Sequence, residues 1–357
     1  MQNRHPTRQV RLGRLLLGGG APIAIQSMTN TDTHDKEATL HQVRALEAAG
    51  CEIVRIAIPD LAAADIFAFL KREGVGVPLV ADIHFDYRIA LAAVRGGADK
   101  IRINPGNIGE RGRVAEVVAA CRERQIPIRI GVNSGSLEKH ILEKYGGPTA
   151  EALAESALSH AAILEALDYE QVVLSVKSSD VPRMIASNRM LAERTDYPLH
   201  IGVTEAGGLQ AGTVKAAVGI GTLLAEGIGD TVRVSLTADP LHEVAAAKAI
   251  LGALHLIKSG MDIIACPTCG RTKVDLVPLL ARFEAAVAEE GLGHLPLRVA
   301  IMGCAVNGPG EARDADIGIA CGSGEALLFR AGEVLGKYPA EQIVPVLIAH
   351  IKEMGAL

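Results

Sequence analysis

Residues 100–133 read KIRINPGNIGERGRVAEVVAACRERQIPIRIGVN: a short isoleucine-rich run, a proline and glycine turn, a helical stretch, and a second isoleucine-rich run. Working outward in both directions, runs of the same kind occur at Ile23 to Met28, Ile53 to Ile58, Pro78 to Ile83, Lys100 to Pro105, Ile128 to Asn133, Val172 to Lys177, His200 to Glu205 and Thr231 to Thr237. Eight such runs alternating with helices imply parallel strands joined by right-handed crossovers. That number of units, in the span from residue 23 to about 258, matches a closed (β/α)8 TIM barrel. An open doubly wound sheet is the alternative. The connecting segments agree with the count. Leu40, Val43 and Leu46 fall on one helical face, as do Val181, Met184 and Ile185 behind a Ser179-Asp180 cap. Asp239-Pro240 opens the last barrel helix with a cap followed by a proline in the first turn.

Ahead of the first run, Val10 to Leu17 with the Gly18-Gly19-Gly20 turn reads as a hairpin, about residues 8–20, placed to close the N-terminal end of the barrel. Past residue 258 the rhythm changes. A strand, a cysteine turn, a helix (roughly Val274 to Glu290), strands at Leu297 to Met302, Asp316 to Cys321 and Ala326 to Phe329, and a final helix after Pro339 describe a small α+β domain. The chain of 357 residues is thus expected to hold a barrel domain over 1–258 and a second domain over 259–357.

Composition narrows the function. Hydrophobic residues at 49% and charged residues at 22% are those of a folded globular chain. A net charge of -5, five Tyr, five Phe and no Trp leave neither a basic footprint nor stacking platforms for nucleic acid. The apolar run after Arg4, Arg8, Arg11 and Arg14 is only Leu15 to Leu17, short of the roughly 7–15 residues of a signal-peptide core. The longest apolar stretch, Val244 to Ile257, is interrupted by Lys248 and His255 and falls short of the roughly 18 residues of a membrane span. A cytoplasmic protein is expected.

Barrel enzymes place their chemistry at the C-terminal ends of the strands. There this chain carries Arg55, Arg102, Arg129, Lys177 and Arg233 on five different runs, accompanied by Asp82, His84, Asn104, Asn133, Glu205 and Ser235. Any one of these has a structural explanation, such as an arginine paired with a neighbouring carboxylate. Five converging cations with few acids call for an anionic occupant, because like charges in close contact repel by about 4 kcal/mol at an effective dielectric near 20. Guanidinium forks and a lysine suit a diphosphate. No Walker-type loop is present, which favours a small phosphorylated metabolite over a nucleotide.

The second chemical signal is Cys266-Pro267-Thr268-Cys269, followed by Cys304 on a loop rich in glycine and proline. Two thiolates on one turn and a third on another loop suit an iron-sulfur or zinc centre better than a disulfide. Glu311, seven residues after Cys304, is the best-placed fourth ligand. Cys321 is the alternative, although a buried thiol is its simpler reading; Cys51 and Cys121, where helices end, read as structural.

Taken together, QSMTNTDTHD, ADIHFDYRIA, IRINPGNIG, IRIGVNSGSL, SVKSSD, VTEAGG, CPTCGRT and MGCAVNGPGEA resemble the 4-hydroxy-3-methylbut-2-enyl diphosphate synthases of the shorter bacterial type, over nearly the whole chain. The resemblance implies reductive ring opening of 2-C-methyl-D-erythritol 2,4-cyclodiphosphate in the non-mevalonate isoprenoid pathway. It also implies a 4Fe-4S cluster on Cys266, Cys269, Cys304 and Glu311, and substrate contacts from Arg55, Arg102, Arg129, Asn133, Lys177, Arg233 and Ser235. Glu205 matches the acid/base position. Flavodoxin or ferredoxin is the implied electron donor, and a homodimer with an active site shared between chains the implied assembly. The competing readings are a phosphate-metabolite lyase or isomerase barrel with a four-cysteine zinc site using Cys321, and a non-catalytic iron-sulfur scaffold. A scaffold has no use for a diphosphate pocket.

Overall fold

A hairpin of β1 (Val10–Leu12) against β2 (Leu15–Leu17), turning at Gly13, precedes the barrel. In this computed structural model the described residues are 4–104, 111–257, 260–304 and 314–355. The chain divides into two units, Met1–Ile257 and Lys258–Leu357.

The eight runs form β3 (Ala24–Met28), β4 (Ile53–Ala57), β5 (Leu79–Asp82), β6 (Lys100–Ile103), β7 (Ile128–Asn133), β8 (Val172–Lys177), β9 (His200–Ile201) and β10 (Thr231–Val232). They stand side by side in parallel and in chain order. β10 pairs with β3 on one side and β9 on the other, and a bridge between Leu174 and Leu199 joins β8 to β9 and completes the ring. The closed barrel expected from the sequence is therefore present, and the open sheet is not.

Strand alternation explains why these sequences close. Ile25, Val54, Ile56, Ile101, Ile103, Ile128, Ile130, Val172 and Leu174 face outward and are buried beneath the helices. Each fully buried aliphatic side chain of this size contributes about 1.5–3 kcal/mol. The alternate positions face the barrel interior. At its foot, Ala24, Ile53, Val80 and Val173 pack on Val10, Leu12 and Leu17 of the hairpin, forming a small apolar floor.

Aspartates set the starts of several helices. Asp35, Asp86, Asp180 and Asp239 accept the backbone N–H of Ala38, Arg88, Arg183 and Leu241 at 2.8–2.9 Å, leading into helices Lys36–Ala48, Tyr87–Gly96, Val181–Arg194 and Pro240–Ala253. Because each helix follows its strand, these N-termini ring the C-terminal mouth of the barrel and add positive potential there.

β9 and β10 are shorter than expected. Their apolar runs extend to Glu205 and Thr237, but the ladder ends at Ile201 and Val232. Beyond that point the two segments stay close and pair again at a bridge between Gly208 and Thr237, and Gly202 passes so near Arg233 that a Cβ there would lie 2.3 Å from the Arg233 carbonyl oxygen.

In the second unit, β11 (Asp262–Ala265), β12 (Arg298–Met302) and β13 (Ile317–Cys321) are parallel, and β14 (Glu325–Arg330) and β15 (Glu333–Pro339) continue the sheet antiparallel. Helices Leu276–Glu289 and Ile343–Gly355 cover one face, with Phe283, Leu347 and Ile351 buried against Val299, Ile301, Ile319 and Leu328. The sequence pattern does not mark β15. It is an edge strand with no buried residue, so the alternation that marks a strand is missing. No helix among the described residues is long and apolar enough to cross a membrane.

The floor gives a stability prediction. Leu12 is fully buried, so Leu12→Ala is expected to lower the unfolding free energy of the barrel by about 2–5 kcal/mol. Urea denaturation followed by far-UV circular dichroism measures this, and a loss under about 0.5 kcal/mol, the range of a neutral surface change, would mean the hairpin is a loose arm.

Candidate active site

TIM-barrel interiors are ordinarily filled by branched aliphatic side chains. Above its apolar floor this one carries Arg55, Lys100, Arg102, Arg129, Lys177 and Arg233, all on inward positions of the strands or their continuations. Arg129 and Lys100 are among the largest fully buried side chains of the protein.

Two buried carboxylates organise the arginines. Asp82 at the end of β5 receives Arg55 Nη2 at 3.1 Å and Arg102 Nη1 at 3.3 Å, with His84 Nε2 3.4 Å away. Glu243, from helix Pro240–Ala253, accepts Arg233 Nε and Nη2 at 3.3 Å each, Ser27 Oγ at 2.9 Å and the Leu236 N–H at 3.1 Å. These pairs aim the guanidinium groups without neutralising the whole set. Lys100 Nζ, Lys177 Nζ, and Nε and Nη1 of Arg129 are buried with no hydrogen-bond partner among the described residues.

The electrostatics follow. Burial, and then the charges of Arg129 and Arg55, push the Lys100 ammonium well below its ordinary value; Lys177 is lowered by burial and Arg233, and Arg129 by burial, Arg55 and Arg102. Arg55 is pulled down to about 10 by burial, against the upward pull of Asp82. Burial alone would raise Asp82, but Arg55, His84 and Arg102 together hold its carboxyl well below the usual range. His200 is lowered by burial and then by Arg129, and its Nδ1 lies 2.8 Å from Thr231 Oγ1.

The cations open on a polar cavity of about 40 Å³ lined by Arg55, Arg102, Arg129, Gly131, Asn133, Ser175, Lys177, Thr204, Arg233 and Ser235. The seven barrel residues expected to hold substrate are thus brought together. Glu205 is not among the lining residues: it is exposed, one position past Thr204, with a left-handed φ of +51°. His84 is half exposed, and Asn104 is buried at the end of β6. A larger groove of about 610 Å³, with Arg11, Arg122, Glu165 and Asp168 on its walls, lies among segments that precede the strands, at the end opposite to barrel chemistry.

Lys100, His200 and Glu243 belong to this set as well, and no motif marks them. Lys100 stands two residues before Arg102, so strand alternation puts it on the same face; Glu243 reads as an ordinary first-turn acid of its helix.

In the second unit the ends of β11 and β12 are neighbours, which brings the Cys266–Cys269 turn beside the loop of Cys304. The Gly303 N–H donates to Cys266 Sγ at 3.2 Å, and the Lys273 N–H to the Gly303 carbonyl at 3.0 Å. The Thr268 N–H reaches back to the Cys266 carbonyl at 3.0 Å, and Cys269 and Thr272 close the next turn reciprocally. Hydrogen bonds and charge from Arg271 hold the exposed Cys269 thiol below its usual value, and the same guanidinium feels Cys304. No three Cys, His, Asp or Glu side chains among the described residues close on a single metal-ion position. Three thiols on two adjacent strand ends nonetheless fit a group bonded to sulfur at several corners. Glu311 lies outside the described residues. Cys321 is in the apolar core with Ile301 and Leu328, its thiol pushed up to about 11 by burial, which suits a packing role rather than a zinc ligand. Cys51 and Cys121 are buried in the barrel unit, as the structural reading expects.

A closed β/α barrel with a cationic interior, accompanied by a small sheet unit with thiols on adjoining loops, marks a two-unit barrel enzyme for an anionic substrate. Residues 7–248 match the GcpE TIM-barrel domain and residues 262–353 the GcpE protein C-terminal domain. The chain belongs to the GcpE family. It is 57% identical over 350 residues to the 4-hydroxy-3-methylbut-2-en-1-yl diphosphate synthase (flavodoxin) of Geobacter sulfurreducens, covering 98% of each chain. Against the enzyme of that name from Ruminiclostridium cellulolyticum it is 55% identical over 351 residues, again covering 98% of each. Among solved structures, type I 3-dehydroquinate dehydratase from Clostridium difficile superposes with a TM-score of 0.50 at 13% identity, over 70% of this chain and 98% of that one, a likeness of fold alone.

The Asp82 bridge gives a pH prediction. Its folded value is depressed, so its contribution to stability is complete above the unfolded value near 3.9 and is lost as pH falls below that, toward the lower folded value. Asp82→Asn is expected to destabilise the protein at neutral pH by about 3–5 kcal/mol, the cost of breaking a buried pair. Denaturant titrations should find this deficit constant from pH 7 to about 5 and shrinking below about 4. A deficit that already fades between pH 7 and about 5 would deny Asp82 the bridging charge.

Proposed function

We propose that this enzyme converts 2-C-methyl-D-erythritol 2,4-cyclodiphosphate into 4-hydroxy-3-methylbut-2-enyl diphosphate. The observation that carries the reading is the surplus of cations over carboxylates lining one cavity in a chain more than half identical to synthases of that name. The overall change consumes two electrons and one proton, and the phosphate oxygen released from carbon keeps its negative charge. One carbon–oxygen bond to the diphosphate breaks, opening the ring; one hydroxyl leaves as water; and the carbon skeleton becomes the allylic alcohol.

Cys266, Cys269 and Cys304, with Glu311 as fourth ligand, would hold a 4Fe-4S cluster, which supplies electrons one at a time where no nicotinamide or flavin motif is present. The work of the barrel residues is electrostatic and positional. Arg55, Arg102, Arg129, Lys177 and Arg233 grip the diphosphate oxygens, and the negative charge that appears as the ring opens stays in the field of the same side chains. Asn133 and Ser235 fix orientation by hydrogen bonding. Asp82 and Glu243 hold the arginines in register, so little reorganisation is needed at the moment of bond breaking. Glu205, on the loop that follows Thr204, holds the proton delivered to the departing hydroxyl. Its left-handed backbone, a conformation that costs about 1–3 kcal/mol at a non-glycine residue, is the kind of local strain that clusters at active sites.

Flavodoxin, in the relatives' name, is the electron donor of this reading, and the cytoplasm its compartment. The assembly is a homodimer in which the metal unit of one chain serves the barrel of the other.

Anaerobic turnover of the cyclic diphosphate with a chemical reductant is the deciding assay. The reading expects an allylic diphosphate product, and expects Glu205→Gln to bind substrate normally while losing rate; no product from brown, cluster-loaded protein would end it. The shared site is tested separately by mixing Lys177→Ala with Cys304→Ser under conditions of subunit exchange. Two inactive parents should give a heterodimer with one working site of two. No recovery despite proven exchange would assign each site to a single chain.

A further inference from the structure

We propose that Gly131 is a positioning residue of the substrate site: the side chain it lacks leaves the space in which the Arg102 guanidinium lies. On β7 the inward positions are Arg129, Gly131 and Asn133, so strand alternation calls for a side chain at 131 directed into the barrel. The backbone is not the reason for glycine, because Gly131 has no positive φ and any residue could adopt its extended conformation. Space is the reason. A Cβ at 131 would stand 2.4 Å from Arg102 Nε, 2.9 Å from Nη2 and 3.0 Å from Cζ, all inside van der Waals contact.

Arg102 has little freedom to yield. It is buried, and its guanidinium is fixed at both ends, with Nη1 on Asp82 at 3.3 Å and Nη2 on the Gly131 carbonyl at 3.1 Å. Gly131 therefore acts twice on one side chain, by its missing Cβ and by its carbonyl. A methyl at 131 must push the guanidinium off one of these partners. Displacement from Asp82 would release a group that also holds Arg55 at 3.1 Å, so one methyl disturbs two of the cavity's cations. Gly202 is a second gap of this type, where a Cβ would lie 3.0 Å from Lys177 Nζ, but it would also meet the Arg233 carbonyl at 2.3 Å. A variant there strains the backbone, which makes Gly131 the position to test.

The inference rests on the cavity being a diphosphate site, and the experiment separates the two. Inorganic pyrophosphate binding is measured by calorimetry for the parent, Gly131→Ala, Arg102→Lys and the double variant, alongside the thermal unfolding midpoint of each. Gly131→Ala is expected to weaken pyrophosphate binding at least tenfold with the fold retained, and to add nothing to the loss already present in Arg102→Lys. That non-additivity marks an effect transmitted through Arg102. Parent-like binding by Gly131→Ala, or equal losses in both backgrounds, would overturn the proposal. If Gly131→Ala is unstable, the slimmer lysine of the double variant should restore the midpoint, and failure to do so places the clash elsewhere and overturns it. If the parent does not bind pyrophosphate, the diphosphate reading fails. The positioning of Arg102 by Gly131 is then decided by whether Arg102→Lys relieves the midpoint loss of Gly131→Ala.

Discussion

Positive charge confined in a low-dielectric barrel is the constraint to which the rest of this structure answers. At an effective dielectric near 20, two like charges 4 Å apart repel by about 4 kcal/mol, and this interior holds six cations against the carboxylates of Asp82 and Glu243. Enough acid is present to orient Arg55, Arg102 and Arg233, but not enough to discharge Lys100, Arg129 or Lys177. The folded protein therefore carries an unfavourable electrostatic term that an anion relieves, and its outward-facing aliphatic packing offsets that term in the meantime. Such an arrangement gives up stability for affinity, as preorganised sites commonly do.

Much of this was legible in the sequence because the barrel repeats. The outward positions of every strand carry aliphatic residues, and runs such as Ile128 to Asn133 alternate a branched side chain with a polar or small one. The cations at strand ends could be read one by one, and the cavity lining contains each of Arg55, Arg102, Arg129, Lys177 and Arg233. What escaped were the residues whose role depends on register between elements. Glu243 reaches Arg233 from a helix ten positions further along the chain, which no local pattern reveals. Lys100 opens a strand, where a lysine is usually solvated, and only the ring of neighbours buries it. β15 failed for a different reason: an exposed edge strand has no apolar side to alternate with, and Gly336 and Lys337 within it read as loop.

The second unit depends on a simpler geometric fact. Parallel neighbours place their C-terminal ends together, so β11 and β12 deliver two loops distant in sequence to one place. The turn of Cys266 and Cys269 and the loop of Cys304 meet through the Gly303 N–H, which donates to Cys266 Sγ, and the Lys273 N–H, which donates to the Gly303 carbonyl. Cys321, on the next strand, is buried in the core of that sheet, away from the two loops that carry Cys266, Cys269 and Cys304.

The hairpin at the foot of the barrel has an electrical consequence as well as a mechanical one. Val10, Leu12 and Leu17 put hydrocarbon where bulk water would otherwise reach the lower cations, so the charges are poorly screened from below. Field lines that cannot spread into solvent at the bottom leave through the mouth, where the helix N-termini reinforce them. The barrel then behaves as an insulated well with one open end, drawing polyanions along its axis and turning away other cations before any side chain touches them. Salt, which shortens the reach of that field, acts on the rate of capture more than on the grip once the anion is seated.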